Sequence, residues 1–211
     1  MFGLLREEMN ILGAIIAGGQ SRRMAGANKL LLELNGEYLV ARAARKLSQH
    51  VDQVVINLQS EEKTVASLGY PIILDEQKDH LGPLAGISSV LKWLANSGMD
   101  IDYVMTVPAD APFFPTDLVN KLKAAIGSND IAIAHYDGYS QQLFGLWSVK
   151  CSDDLSEYLD DPDNRKVMTF IRSQNWVQVE IQKQDVDPFM NINTQEDWQL
   201  AQNIADKDGA L

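Results

Sequence analysis

A loop that combines glycines with basic side chains lies near the start of the sequence. Residues 17–29 contain three glycines, two arginines and one lysine. Gly18 and Gly19 lack a Cβ atom, so successive backbone amides can approach phosphate oxygens there. Arg23 and Lys29 can neutralise the charge of a polyphosphate. The composition therefore predicts a phosphate-binding loop, and a surface turn with incidental cations is the alternative.

This loop matches neither of the two standard glycine motifs for phosphate. A P-loop has the form G-x-x-x-x-G-K-[ST], whereas Lys29 is followed by Leu30. The dinucleotide-binding pattern G-x-G-x-x-G is also absent from the sequence. The loop therefore predicts phosphate binding of a different kind.

A carboxylate that suits a metal ion follows an apolar run in the middle of the chain. Asp110 comes just after residues 103–107 and lies between Pro108 and Pro112. A carboxylate oxygen suits Mg²⁺ that bridges phosphates, with phosphate oxygens and water as the other ligands. We therefore predict Asp110 to be the metal ligand and, with Lys29 and Arg23, a catalytic residue. The alternative is a turn cap, a role that aspartate beside proline often has.

Two more polar residues belong to predicted strand ends. Asn57 lies in the apolar stretch 53–58, and Asp75 directly follows residues 72–74. A carboxylate can accept hydrogen bonds from N1–H and N2–H₂ of guanine, an arrangement that adenine and cytosine do not offer. We expect both side chains to face the nucleotide and Asp75 to contribute to base choice. The alternative is that both are strand-end residues facing water.

The elements that must position these residues alternate between strand and helix patterns. Helical spacing of apolar residues favours helices at 38–49, 84–94 and 118–126, the last capped by Thr116, and residues 194–197 have the capping-box spacing that begins a final helix. Strand patterns occupy residues 12–16, 53–58, 72–74, 103–107, 131–135, 142–149 and 177–181, the last three with some antiparallel pairing.

Continuous apolar strands separated by amphipathic helices indicate a mostly parallel sheet that is covered on both faces. The predicted fold class is α/β, a single three-layer, doubly wound domain with a Rossmann-like arrangement that spans residues 1–211. Residues 1–8 are predicted to be a flexible extension of this domain. Ligands bind beyond the carboxyl ends of the strands in such sheets, which is where Asp75 and Asp110 would lie.

Composition limits the classes of partner. The formal net charge of −11 argues against a nucleic-acid binder, because affinity for a phosphate backbone comes mainly from clustered lysine and arginine. The single cysteine, Cys151, excludes an internal disulfide and favours a reducing compartment, so we predict the cytoplasm. The longest apolar stretches are far shorter than the roughly 20 residues that span a bilayer, so no membrane association is predicted.

Taken together, these motifs resemble the molybdenum cofactor guanylyltransferases, whose signature has the form L-A-G-G-x-S-x-R-M-G-x-x-x-K. The signature corresponds here to residues 16–29, and the likeness continues with G-P-L-A-G at 82–86, P-A-D-A-P-F at 108–113 and F-M-N-I-N-T-Q-E-D at 189–197. Ala25 stands where the family has glycine, and Asn28 where it has aspartate. The second departure leaves open the ion pair that the aspartate makes in relatives.

The resemblance implies a nucleotidyltransferase fold and Mg²⁺ as the cofactor. It implies attack by the terminal phosphate of molybdopterin on the α-phosphorus of GTP, with transient contacts to proteins that make or receive molybdenum cofactor. The residues implied in GTP binding are Ile16, Ala17, Gly18, Gly19, Lys29, Asn57, Asp75 and Asp110. The residues implied on the pterin side are Arg165 and Lys166, in R-K-V-M-T-F, and Asn191 and Asn193, in N-I-N-T.

Two other functions remain open at this stage. The acceptor could be a different phosphorylated small molecule, because its identity depends on the resemblance alone. The chain could also be a nucleotide-binding regulatory module without catalysis, which would fit the altered residue Asn28. For Arg165 and Lys166 the alternative is a pair of solvated surface cations.

Overall fold

A computed structural model describes residues 9–17, 28–76, 82–161 and 163–208. The strands are β1 (Ile11–Ile16), β2 (Glu33–Leu34), β3 (Glu37–Tyr38), β4 (Gln53–Leu58), β5 (Ile72–Leu74), β6 (Tyr103–Pro108), β7 (Ile131–Tyr136), β8 (Tyr139–Ser148) and β9 (Trp176–Glu180). The helices are α1 (Leu39–Leu47), α2 (Lys63–Ala66), α3 (Pro83–Ser97), α4 (Leu118–Ile126), α5 (Cys151–Asp160), α6 (Val167–Ser173) and α7 (Gln195–Asp208).

Seven of these strands form one sheet in the order β5-β4-β1-β6-β8-β7-β9. The pairs β4–β5, β1–β4, β1–β6 and β7–β9 are parallel, whereas β8 runs antiparallel to both β6 and β7. The predicted α/β fold with a mostly parallel sheet is therefore confirmed. The chain builds outward from β1 to β4 and β5, then returns to add β6 on the other side. Ligands bind at such a reversal of strand order, beyond the carboxyl ends of the strands.

Helices cover both faces of the sheet because side chains of a strand alternate between its two sides. Ile11 and Ile15 of β1 pack into a core cluster with α1 and α4. Leu12, Ala14 and Ile16 of the same strand pack into a second cluster with α3, α5 and α6. β1 is apolar along its whole length because both of its faces are buried.

A third apolar cluster joins α7 to the hairpin formed by β2 and β3. Leu34 of the hairpin packs with Ile192 and with Ala201 of α7, all at 0% exposure. The hairpin turns at Asn35 and Gly36, which both have positive φ. The side-chain Nδ2 of Asn35 donates to the Ala205 carbonyl at 3.0 Å. The hairpin was not predicted, although Asn-Gly is a strong hairpin signal. By holding α7, it also fixes the chain just before α7.

The predicted elements agree with the structure apart from their ends and one cap. β4, β5 and α4 have the predicted bounds, whereas β8 begins three residues earlier than predicted. The prediction that Thr116 caps α4 is wrong: the cap is Asp117, whose side chain makes no capping hydrogen bond, and the Leu118 amide donates to the Pro115 carbonyl.

Some predictions fall outside the described ranges. They concern the extension at residues 1–8 and three residues of the glycine loop, Gly18, Gly19 and Arg23. Across the described ranges, none of the helices combines the length and the apolar character needed to cross a membrane.

Candidate active site

The carboxyl ends of four adjacent parallel strands bring the predicted site residues to one edge of the sheet. Hydrogen bonds just past these ends tie the strands together: the Ala17 amide donates to the Asn57 carbonyl at 3.0 Å, and the Asp75 amide to the Leu58 carbonyl at 2.9 Å. On the other side of β1, the Ala109 amide donates to the Ile16 carbonyl at 3.1 Å. Ile16, Ala17, Asn57, Asp75 and Asp110 therefore lie along the same edge, as the parallel sheet predicts.

Lys29 is held at this edge by a short 3₁₀ turn, Lys29–Leu31. Asn28 caps the turn by accepting a hydrogen bond from the Leu30 amide at 3.1 Å, and Leu30 packs into the core cluster with α1. An aspartate at position 28 could accept the same bond, so the altered residue keeps the cap. These contacts aim Lys29 inward, and only 7% of it is exposed.

The Lys29 ammonium group contacts two acceptors from distant parts of the chain. It donates to Asp110 Oδ2 at 2.5 Å and to Asn193 Oδ1 at 2.6 Å. An ammonium group removed from water needs such acceptors, and a charge-assisted bond to carboxylate is the strongest of them. The structure thus brings together two residues that we predicted on the phosphate side and one that we predicted on the pterin side.

The turn that carries Asn193 is fixed on both sides by hydrogen bonds. The Ile192 amide donates to the Asp110 carbonyl at 2.9 Å, and Asp197 Oδ2 accepts from the amides of Asn193 and Thr194 at 2.9 and 2.8 Å. The Asp197 amide donates in return to Thr194 Oγ1 at 3.1 Å, which confirms the predicted capping box. The two backbone bonds, and more weakly the charge of Lys29, lower the pKa of the Asp197 carboxyl.

Asn57 is fully buried, and its expected role in contacting the nucleotide stays a prediction. Its Nδ2 donates to Asp75 Oδ1 at 2.7 Å and to the Ile73 carbonyl at 3.2 Å. Burial raises the pKa of Asp75, and the hydrogen bond from Asn57 opposes that rise. The Asn57 side chain therefore holds the Asp75 carboxylate, which is partly exposed at the edge.

Gly86 of α3 explains how a buried asparagine fits at this position. A Cβ atom at residue 86 would lie 2.2 Å from Asn57 Oδ1, a distance that no real contact allows. The close approach of helix and side chain therefore requires the last glycine of G-P-L-A-G. Among the described residues Asn57 Oδ1 has no hydrogen-bond partner.

The pterin-side residues lie in two separate segments. Arg165 and Lys166 are exposed between α5 and α6, and the Tyr158 hydroxyl donates to the Lys166 carbonyl at 3.3 Å. Asn191 is exposed in the same turn as Asn193. The pterin-side roles stay predictions.

A metal ion at Asp110 would need ligands from outside the described protein residues. Within the described ranges no group of three or more histidine, cysteine, aspartate or glutamate side chains could hold an ion. Mg²⁺ commonly binds through one or two carboxylates while phosphate oxygens and water complete its shell. The Asp110 side chain is 27% exposed at the edge, so a single carboxylate there suits a metal that arrives with a phosphate ligand.

Sequence reasoning gave no role to Gly86 or Asp197. Gly86 was part of a motif, but the side chain it accommodates belongs to a different strand and could not be inferred. Asp197 was recognised only through capping-box spacing, which predicts a helix start. Its bond to Asn193 depends on how the preceding turn folds back on Asp110.

Comparisons with known proteins agree with this geometry. A family model described as MobA-like NTP transferase domain matches residues 13–179. A molybdenum cofactor guanylyltransferase from Mesorhizobium japonicum is 36% identical over 200 residues, which cover 92% of this chain and 96% of that protein. One from Rhodopseudomonas palustris is 37% identical over 196 residues, which cover 92% and 93%. The crystal structure of molybdopterin-guanine dinucleotide biosynthesis protein A from Archaeoglobus fulgidus superposes with a TM-score of 0.73 at 22% identity, covering 94% and 100%, and shows the same fold.

The contact between Gly86 and Asn57 predicts that the effect of Gly86→Ala on stability depends on which residue occupies position 57. Gly86→Ala should destabilise the protein, because the added methyl group collides with Asn57 Oδ1. In an Asn57→Ala background the same change should be neutral or stabilising by up to about 1 kcal/mol, because alanine favours a helix over glycine. Urea unfolding of the four proteins measures both effects.

A second readout of the same variants concerns Asp75. Displacing Asn57 removes the donor that holds the Asp75 carboxylate, so nucleotide affinity should fall in Gly86→Ala. If Gly86→Ala changed the unfolding free energy by the same amount in both backgrounds, the packing described for this pair would be contradicted.

Proposed function

The chain belongs to the molybdenum cofactor guanylyltransferases, within the family of MobA-like NTP transferase domains, and from this membership we propose that it transfers GMP from GTP to molybdopterin. The acceptor group is the terminal phosphate of molybdopterin. The products are the molybdopterin guanine dinucleotide cofactor and pyrophosphate. The observation that carries the proposal is the cluster of Lys29, Asp110 and Asn193 at the carboxyl ends of β1 and β6.

The cluster supports phosphoryl chemistry because it presents a buried cation beside a carboxylate. The Lys29 ammonium group is already held at the strand ends, which limits the reorganisation needed before it neutralises phosphate charge. In the structure its charge is balanced by Asp110. A polyphosphate would compete for the ammonium group and leave the carboxylate free for a metal. Mg²⁺ bound at Asp110 would supply further neutralisation of phosphate charge.

The spacing between Asp75 and Asp110 suits a nucleotide that lies across the strand ends. Asp75 follows β5 and Asp110 follows β6, and three strand spacings separate these strands in the sheet. At about 4.8 Å per spacing, the ends of these two strands are about 14 Å apart across the edge. We assign the guanine base to the Asp75 end, where a half-buried carboxylate can accept from N1–H and N2–H₂. The phosphates then lie at the Lys29 end.

The reaction itself requires no covalent enzyme intermediate and no general base. An oxygen of the molybdopterin phosphate forms a bond to the α-phosphorus of GTP, the bond from that phosphorus to the bridging oxygen breaks, and pyrophosphate leaves with the electron pair. The nucleophile is already anionic at neutral pH. The protein therefore contributes alignment and charge neutralisation, for which we propose Lys29, Arg23 and the amides of Gly18 and Gly19.

Exposed polar side chains make up the proposed acceptor side. We assign Arg165, Lys166 and Asn191 to the pterin by family resemblance, because exposed cations and an amide suit its phosphate and polar ring edge. Transient contact with proteins that make or receive the cofactor is part of the same proposal. So is a cytoplasmic location, which the single cysteine favours.

The proposal is tested by pyrophosphate release from purified protein with GTP, molybdopterin and Mg²⁺. We expect turnover that requires all three components, with CTP in place of GTP as the nucleotide control. Turnover with another phosphorylated acceptor but not with molybdopterin would identify a different transferase. GTP binding without any turnover would identify a regulatory module.

We expect Lys29→Ala to reduce turnover by about 10²-fold or more, the usual loss when one pre-positioned donor is removed from a transition state. Lys121→Ala is the matched control, because Lys121 forms only a surface pair with Asp117 on α4. Circular dichroism checks that both proteins fold. Normal kinetics in folded Lys29→Ala would remove the phosphate-site assignment.

Asp110→Asn keeps the size of the side chain but removes its negative charge. We expect turnover to fall steeply and excess Mg²⁺ to restore it only in part, because an amide oxygen is a weaker ligand than a carboxylate. Titration of Mg²⁺ measures this, with Asp117→Asn as the control on the surface. An unchanged Mg²⁺ dependence would show that Asp110 is a structural residue.

A further inference from the structure

One carboxylate oxygen links the start of α7 to the Lys29 cluster. In an ordinary capping box, the third helical residue accepts from the amide of the cap residue. Asp197 Oδ2 does this with Thr194 at 2.8 Å, and it also accepts from the amide of Asn193, one residue before the cap, at 2.9 Å. The Asn193 side chain in turn contacts Lys29. The extra bond makes the capping box part of a chain of contacts that reaches Asp110.

We propose that Asp197 is a positioning residue that fixes the Lys29 ammonium group through Asn193. Its negative charge does not touch the reacting atoms in this arrangement. It holds the peptide of Asn193 so that Oδ1 faces Lys29. This inference depends on the proposed function for its kinetic readout, and on the structure alone for its spectroscopic one.

The position of Asn193 explains why such a device is needed. Its side chain is exposed, so packing cannot set its direction. The neighbouring Ile192 is fully buried, and its amide is bonded to the Asp110 carbonyl at 2.9 Å. With Ile192 anchored on one side and Asp197 on the other, the backbone of Asn193 is fixed at both ends. A fixed backbone sets the direction of the Cα–Cβ bond and so limits where the side-chain amide of Asn193 can point.

The electrostatic contacts of Asp197 agree with this role. The amides of Asn193 and Thr194 lower the pKa of Asp197, and the charge of Lys29 lowers it further. Asp197 therefore carries its charge at neutral pH and lies close enough to Lys29 to interact with it. Asp110 is the carboxylate in direct contact with Lys29, and the attraction between Asp197 and Lys29 is weaker.

The two halves of the capping box provide a matched pair of variants. Thr194→Ala removes the Thr194 hydroxyl, which accepts from the Asp197 amide. The hydrogen bond from the Asn193 amide to the Asp197 carboxylate remains. Asp197→Ala removes the bonds to both Thr194 and Asn193. Each loses one half of the same helix cap, so we expect melting temperatures to fall by similar amounts, about 2–4 °C. Only Asp197→Ala releases Asn193.

The kinetic experiment measures kcat and KM for pyrophosphate release in both variants. We expect kcat to fall about 10- to 100-fold in Asp197→Ala, the cost of misplacing one catalytic group by about 1 Å. In Thr194→Ala it should stay within about twofold. Asp197→Asn keeps an oxygen that can accept both amide bonds, so it should recover most of the lost kcat. In an Asn193→Ala background, Asp197→Ala should cause little further loss, because the two residues act in series.

A spectroscopic readout does not depend on catalysis. The buried, hydrogen-bonded Lys29 ammonium group should give a slowly exchanging ¹⁵N NMR signal, assigned by its absence in Lys29→Arg. We expect the signal to survive in Thr194→Ala and to broaden or disappear in Asp197→Ala. If the wild-type protein releases no pyrophosphate, the proposed function fails while this comparison still decides the inference.

Two results would overturn the positioning role. Equal losses of kcat in Thr194→Ala and Asp197→Ala would show that both residues act only by stabilising α7. An unchanged Lys29 signal and unchanged kcat in folded Asp197→Ala would show that Asn193 keeps its direction without Asp197.

Discussion

An ammonium group that is almost excluded from water must find acceptors inside the protein, and Lys29 finds them far away in sequence. Desolvating an unpaired lysine is so costly that the folded chain has to bring a carboxylate to it. Asp110 meets that requirement from the end of β6, and Asn193 from the turn before α7. The sheet, the hairpin and the last helix are thus tied together at one charge. The proposed phosphate chemistry uses the same charge, which is already positioned.

The same edge of the sheet has a second constraint, which is steric. Asn57 is buried between β5 and α3, and it keeps Asp75 in place at the end of β5. The arrangement holds only while residue 86 has no side chain. One end of the edge is therefore organised by the charge of Lys29, which needs partners. The other end is organised by the close approach of α3 to the Asn57 side chain, which leaves no room for a methyl group at residue 86. Both constraints act at the strand ends, where parallel strands place their loops together.

Sequence patterns predicted most of the strands and helices, but they did not predict the side-chain contacts between them. The apolar stretches 53–58 and 72–74 gave strands with correct bounds, and a parallel sheet then requires Asp75 and Asp110 to share an edge. The orientation of Asn57 could not be predicted, because it depends on a glycine 29 residues away that lacks a Cβ atom. The contact of Asn193 with Lys29 was also beyond reach, because it depends on a third cluster formed by a hairpin that the patterns missed. Local spacing reports local structure, and these contacts are long-range.

The sequence separation within the Lys29 cluster also has a consequence for synthesis of the protein. Asp110 follows Lys29 by 81 residues, and Asn193 follows it by 164. At roughly 5–20 residues per second, a ribosome adds Asn193 roughly 8–30 s after Lys29. During about the second half of that time β1, β4 and β6 can already pair, but the turn and helix that orient Asn193 do not yet exist. Completion of the Lys29 cluster is therefore a late event in the life of the nascent chain, well after its central strands have emerged.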